Sequence, residues 1–207
     1  MRRIMLYALF ALLAFSATAN ATVFSFNTDP FAGSTALTTP GRQIVGGELF
    51  ISFSVATDVF LFDPTVFGVG NLSFANDLVA NLPASGVNVI VLQTLDNDGN
   101  PVTPFAAGTA ANLIAAQLTS STPGFFIYFN QGLDLPRLVF STDLNDNTAD
   151  LKILARMTNL TGQPGALPTF TASNFATTPE PSSLLLMTVP AALWGCCTLL
   201  RRRKIHG

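Results

Sequence analysis

Two acidic loops hold the side chains of this sequence that are best suited to chemistry. The first loop spans 96–100, Asp-Asn-Asp-Gly-Asn, and the second spans 143–147, Asp-Leu-Asn-Asp-Asn. Clustered carboxylate and amide oxygens are the hard ligands that calcium takes. Such residues are also common in plain turns between strands, where they shape the backbone, so both interpretations stay open. The predicted calcium ligands are Asp96, Asp98, Asn100, Asp143, Asn145 and Asp146.

Other catalytic chemistry has few residues to use. The single histidine is His206, and the two cysteines, Cys196 and Cys197, lie in an apolar run near the C-terminus. A serine–histidine–aspartate triad, a histidine metal site or a cysteine nucleophile is therefore not expected elsewhere in the chain. Paired carboxylates of the glycosidase kind remain formally available, but nearly every acid sits in or beside a predicted turn. We expect a protein that is not an enzyme and that has no cofactor, calcium excepted.

The C-terminal tail has three parts in a fixed order. Pro179-Glu180-Pro181 is followed by an uncharged apolar run over 183–200 and then by four cations over 201–204. Proline lacks an N–H and restricts the residue before it, so the first part is extended. The apolar run is at the lower length limit for a helix that crosses a bilayer, and the cations favour a cytoplasmic C-terminus. The tail predicts a transmembrane helix over 183–200, with everything before it outside.

This combination of order, spacing and position resembles the PEP-CTERM sorting signal of Gram-negative bacteria. The resemblance covers 179–204, about an eighth of the chain. It implies that a membrane enzyme called exosortase recognises the motif Pro179, Glu180 and Pro181, that the chain is processed near it, and that the mature protein is exported to the cell surface or extracellular matrix. The cytoplasmic basic cluster of the signal is Arg201, Arg202, Arg203 and Lys204. A plain membrane anchor that is never processed is the alternative.

The N-terminus predicts a secretory signal peptide over 1–21. Two arginines precede an apolar stretch over 4–15, and small-x-small cleavage sites follow at 17–19 and 19–21. The apolar stretch is too short to span a membrane. Cleavage after Ala21 is preferred, and cleavage after Ala19 is nearly as good.

The charge of the chain is unevenly distributed. Between the two terminal segments, eleven acids face only four basic residues, Arg42, Arg137, Lys152 and Arg156, although the formal net charge of the whole chain is −2. An acidic exported domain disfavours phosphate-rich partners, so we expect no nucleic-acid binding. The region also lacks cysteine, so its stability has to come from a hydrophobic core.

The middle of the chain has the pattern of an all-β fold. β-prone segments with alternating residues recur between turn signals, and phenylalanine is frequent. Three successive strands with short connections, 125–129, 137–141 and 151–157, favour an antiparallel meander. The other predicted strands span 23–26, 48–55, 58–63 and 87–95, with one short helix within 105–118 and a last strand or core cover around Phe170 and Phe175.

These patterns predict three regions: a signal peptide (1–21), a β-sandwich-like antiparallel extracytoplasmic domain (22–176) and a sorting or anchor segment (177–207). The expected function is that of a structural or adhesive surface or matrix protein. Its expected partners are the membrane, an exosortase-type sorting enzyme and exopolysaccharide. A glycan- or calcium-binding surface module is the alternative, although the only tryptophan of the chain, Trp194, lies in the predicted membrane helix.

Overall fold

The structure is a computed structural model that describes residues 20–100 and 102–179. These residues form mostly strands in sheets, with few helices. The strands are β1 (Val23–Phe26), β2 (Ile44–Val45), β3 (Leu49–Ile51), β4 (Val59–Phe62), β5 (Phe74–Asp77), β6 (Val89–Leu92), β7 (Gly124–Asn130), β8 (Leu135–Ser141), β9 (Leu151–Met157) and β10 (Phe175–Thr177). The helices are α1 (Pro64–Phe67), α2 (Ala107–Gln117) and the 3-10 turns Val79–Asn81, Thr158–Leu160, Pro164–Thr169 and Ala172–Asn174.

The strands form two sheets. The larger sheet has the order β2-β9-β8-β7-β6-β5, and β3 pairs with β9 beside β2. The smaller sheet has the order β1-β4-β10, and its three strands are all parallel. In the larger sheet the predicted meander is confirmed, because β7, β8 and β9 pair antiparallel in sequence order.

The wider expectation of an antiparallel domain needs correction. The pairs β5–β6, β6–β7, β2–β9 and β3–β9 are parallel. Parallel neighbours need a long crossover connection, and the segment that contains α2 supplies one between β6 and β7. Local alternation does not reveal this difference, because strands of both orientations have a period of two.

The central strand β7 contributes side chains to the hydrophobic clusters on both faces of the larger sheet. All seven of its residues are buried, so its sequence is a continuous apolar run, as expected of a strand covered on both faces. Phe125, Ile127 and Phe129 belong to the hydrophobic cluster shared with the smaller sheet. Phe126 and Tyr128 belong to the cluster that also contains residues of α2. The larger sheet therefore lies between the smaller sheet and the helix.

The contact between the sheets is aromatic. Phe62 of β4 stacks on Phe125 of β7 with ring centroids 3.7 Å apart, and Phe60 stacks on Phe53 at 4.2 Å. The three rings of Phe53, Phe60 and Phe62 are fully buried. The phenylalanine-rich composition thus fills the space between the sheets, in agreement with a core role.

One predicted strand is shorter than expected, and the predicted helix is confirmed. The strand expected over 48–55 is only Leu49–Ile51. It ends early because the backbone of Phe53 pairs with a side chain instead of a strand: Asn159 accepts from its N–H at 2.8 Å and donates to its carbonyl at 3.1 Å. The helix expected within 105–118 is confirmed as α2, which buries Ala110 and Ile114.

Candidate functional site

The last strand of the domain lies directly before the predicted sorting motif. β10 pairs with β4, and the N–H of Thr178 donates to the carbonyl of Phe62 at 2.9 Å. The next residue, Pro179, has no N–H to continue the ladder and is exposed. Glu180 and Pro181 lie outside the described residues. Among the described residues, the motif therefore begins at an exposed position, directly after the residue that bonds to Phe62.

The sequence before the motif fixes the last strand firmly. The turn at Ala172–Asn174 begins with a capping box between Thr171 and Asn174. Asn174 is 2% exposed, and its side-chain amide donates to the carbonyls of Val55 at 2.8 Å and Asp58 at 2.9 Å. Phe175 follows and is buried against other phenylalanines of the core. The last strand is therefore anchored in the domain by the buried side-chain amide of Asn174 and the buried ring of Phe175.

The predicted membrane helix over 183–200 and the basic cluster Arg201, Arg202, Arg203 and Lys204 lie outside the described residues, as does the signal peptide up to residue 19. Within residues 20–100 and 102–179, none of the helices has the length and apolar character that a membrane crossing requires.

The first acidic loop uses its side chains to shape a turn. Asp96 accepts from the N–H groups of Asn97 at 2.7 Å and Asp98 at 3.1 Å. The N–H of Asp98, with other hydrogen bonds, lowers the pKa of Asp96. Asp98 in turn accepts from the N–H of Asn100 at 2.9 Å and from the hydroxyl of Thr103 at 2.9 Å. The side-chain oxygen of Asn100 accepts from the N–H of Val102 at 3.0 Å.

The second acidic loop is fastened to the end of α2. Asp143 accepts from the hydroxyl of Ser121 at 2.5 Å and from the N–H of Thr122 at 3.1 Å. The side-chain amide of Asn145 donates to the carbonyls of Ala115 and Leu118.

The remaining acid of that loop, Asp146, accepts from the N–H of Thr148 at 2.7 Å and from its hydroxyl at 2.8 Å. These bonds lower the pKa of Asp146. None of the side-chain hydrogen bonds recorded for the described residues joins this loop to the 96–100 loop.

Calcium binding by these loops stays a prediction. In the part of the chain that the structure describes, no group of three or more His, Cys, Asp and Glu side chains is arranged to hold a metal ion. Calcium takes six to eight oxygen ligands, whereas Asp96, Asp98, Asn100, Asp143 and Asp146 each already have a side-chain oxygen that accepts a hydrogen bond from a nearby backbone or hydroxyl group. This use favours the turn interpretation.

No family model, curated protein or solved structure matches the chain.

One charged cluster was missed by the sequence reasoning. Glu48, with a side chain only 6% exposed, forms ion pairs with Arg137 and Arg156. Burial disfavours the charge of Glu48, but hydrogen bonds from its own backbone and from Arg156 and Arg137 outweigh burial and lower its pKa from 4.5 to about 2. Arg137 also lies across from Tyr128 in the sheet and donates to its hydroxyl at 3.4 Å. Half of the four basic residues of the domain are thus used to neutralise one carboxylate.

The sequence contains an indication of this cluster in two of its predicted strands. Arg137 is the single cation of its predicted strand, and Arg156 shares its otherwise apolar predicted strand with Lys152. Partly buried cations on neighbouring strands favour a shared anion. Neighbouring strands place them directly opposite each other. Glu48 was assigned only to the start of a strand, because the parallel pairing of β3 with β9 was not predicted.

A wide surface groove lies beside the early end of β3. It has a volume of about 730 Å³ and is lined by residues of 53–56 and 159–169, none of which is titratable. Phe53 in its floor is fully buried, so it presents no aromatic face to a sugar. The groove therefore offers neither the acid–base groups that an enzyme needs nor the exposed ring that a glycan site commonly uses.

Proposed function

We propose that this protein is a non-enzymatic surface or extracellular-matrix protein, of structural or adhesive type, that is exported and then sorted through its C-terminal tail. The observation that carries the proposal is the junction at Thr178 and Pro179. β10 ends at Thr177, Thr178 makes one further backbone hydrogen bond to Phe62, and the first residue of the Pro-Glu-Pro motif is exposed directly after it. A sorting enzyme in the membrane requires such an accessible, extended segment between a folded domain and a membrane helix.

The composition and core of the domain are consistent with a structural or adhesive role. Its two sheets, which we propose to class as a β-sandwich with a helix on the outer face, enclose a phenylalanine core that needs no disulfide. Its surface carries an excess of acid, which disfavours binding to nucleic acid. We propose that the mature domain associates with exopolysaccharide or with other matrix components, and that its active partner in the cell is an exosortase-type enzyme.

The proposal is tested by changing the motif without changing the fold. Glu180→Gln together with Pro181→Ala alters two residues beyond the last hydrogen bond of β10, so domain stability should not change. We expect this variant to accumulate in the inner membrane, whereas the wild type and an Asp134→Asn control reach the surface or matrix. Cell fractionation with an antibody to the domain measures the distribution. An unchanged distribution of the motif variant would favour a plain, unprocessed anchor.

A further inference from the structure

The residue after the predicted cleavage site of the signal peptide, Thr22, is hydrogen bonded to the buried carboxylate of Asp58. The backbone nitrogen of Thr22 is 2.9 Å from Oδ1 of Asp58, and Asp58 is 4% exposed. The same carboxylate accepts from the N–H of Ser54 at 2.8 Å and the hydroxyl of Thr57 at 3.1 Å. The carbonyl of Asp58 accepts from the buried amide of Asn174 at 2.9 Å. Asp58 thus links the start of β1, the loop before β4 and the turn before β10.

Among residues 20–100 and 102–179, no cationic side chain forms an ion pair with Asp58. The four cations of the domain are all engaged elsewhere: Arg137 and Arg156 bind Glu48, Arg42 donates to the carbonyls of Gly108 and Ala149, and Lys152 donates to the carbonyl of Gly46. Buried carboxylates are normally paired with a positive group as well as hydrogen bonded. In the described residues, this carboxylate has hydrogen bonds only from neutral groups.

Removal of the signal peptide would create a positive charge beside Asp58, on the new terminal amine of Thr22. Hydrolysis of the peptide bond between Ala21 and Thr22 adds one water, leaves the new carboxylate on Ala21 of the leader and leaves the amine on Thr22. A terminal amine has a pKa of about 7.7–8.0, so at neutral pH it takes up a proton and becomes an ammonium. We propose that Asp58 is the binding site for this α-ammonium, and that maturation converts a neutral hydrogen bond into an ion pair that fastens β1 to β4.

The ion pair between the Thr22 ammonium and Asp58 would help to hold β1 against β4. β1 has four residues and pairs with β4 alone, so its position depends on few contacts. Thr22 also accepts from the N–H of Val59 at 3.0 Å, directly beside the carboxylate. Cleavage after Ala19 would leave Asn20 and Ala21 in front of a neutral amide. The inference therefore rests on export through the signal peptide, and within that on cleavage after Ala21.

The test uses the full chain, exported with its own leader in a Gram-negative host and purified in detergent with its tail retained. Ala21→Gln removes the small residue required at the preferred site, which moves cleavage to Ala19. N-terminal sequencing is expected to give Thr22 for the wild type and Asn20 for the variant. In urea unfolding, Ala21→Gln is expected to lower the folding equilibrium constant about fivefold and to have no such effect in the Asp58→Asn background.

A pH series keeps the test valid if Asp58→Asn does not fold. Pairing raises the pKa of the α-amino group in the folded state, so its stabilisation is complete below about pH 7.7 and is lost as the pH rises through the raised value. The Ala21→Gln protein should lack this loss. The groups that face the amine from the adjoining loop and turn, Ser54, Thr57 and Asn174, do not titrate in this range.

Three results would overturn the inference. Cleavage of the wild type after Ala19, or cleavage after Ala21 with no difference between the two proteins in urea and pH, would refute the ion pair while export stands. A leader that is still attached to the purified chain would refute export as well.

Discussion

Replacing Glu48 by glutamine should destabilise the domain in a pH-dependent manner. Burial raises the pKa of Glu48, but hydrogen bonds from its own backbone N–H and from Arg156 and Arg137 outweigh burial and hold the pKa at about 2, compared with 4.5 for the free group. That difference corresponds to at most about 3 kcal/mol of stability at pH 7. Since the side chain of Arg156 is 26% exposed, solvent reduces the value. Glu48→Gln also leaves the more buried Arg137 without an anion, so we expect a loss of about 2 kcal/mol.

The sign of the pH dependence follows from the lowered pKa. The stabilisation is present above the unfolded pKa of 4.5 and is lost as the pH falls through about 2. Wild type and Glu48→Gln should therefore differ most near neutral pH and approach each other between pH 4.5 and 2. Asp134→Asn is the matched control, because it removes a carboxylate that forms none of the recorded ion pairs at a backbone position with φ of 56°, which asparagine tolerates.

The assay is urea unfolding of the three proteins at pH 7, 4.5 and 2.5. We expect the control to stay within about 0.5 kcal/mol of the wild type at each pH. A Glu48→Gln protein as stable as the wild type at pH 7, or a difference that does not shrink with acid, would refute the reasoning that this ion pair is stabilising.

Three further predictions concern the core, a close backbone approach and calcium. Phe62→Ala removes a fully buried ring at the contact between the sheets and should cost about 3–5 kcal/mol, whereas Phe50→Ala, at a position 69% exposed, should cost about 1 kcal/mol or less; thermal unfolding measures both. A methyl group added at Gly124 would collide with the carbonyl oxygen of Asn88, so Gly124→Ala should lower stability by about 3 kcal/mol, while Gly70→Ala, which meets no atom within 4 Å, should be nearly neutral. Calcium added to chelator-treated protein should leave the Tm unchanged, because the side chains of both acidic loops already accept hydrogen bonds; a rise in Tm at millimolar calcium would instead support a metal site.

The sequence predicted the positions of the strands and of the helix better than it predicted which strands pair with each other. Most strands and the helix expected within 105–118 lie where the sequence pattern placed them, and Pro64, which cannot donate to a strand ladder, follows the end of β4. It also begins α1, because Asp63 caps the N–H of Thr65 at 2.9 Å. What alternation could not supply was the partner of each strand. The parallel pairs join segments far apart in sequence, such as β1 with β4 and β4 with β10, and no turn fixes their register.

The same limit explains the candidate sites. The tail motif and the acidic loops are continuous in sequence, so their residues were identified directly. Glu48 and Arg137 are 89 residues apart, and Thr22 and Asp58 are 36 residues apart. Each of these pairs depends on a strand pairing that the sequence did not predict. Burial of Asp58 gave no local signal either, because aspartate beside a strand end is most often a turn residue.

The most direct test of sorting is the intact mass and location of the mature protein, in cells with and without the candidate exosortase. We predict a species that ends near 178–181 and reaches the surface or matrix only when the enzyme is present. A full-length species that keeps residues 201–207 and stays in the inner membrane under both conditions would contradict the sorting proposal.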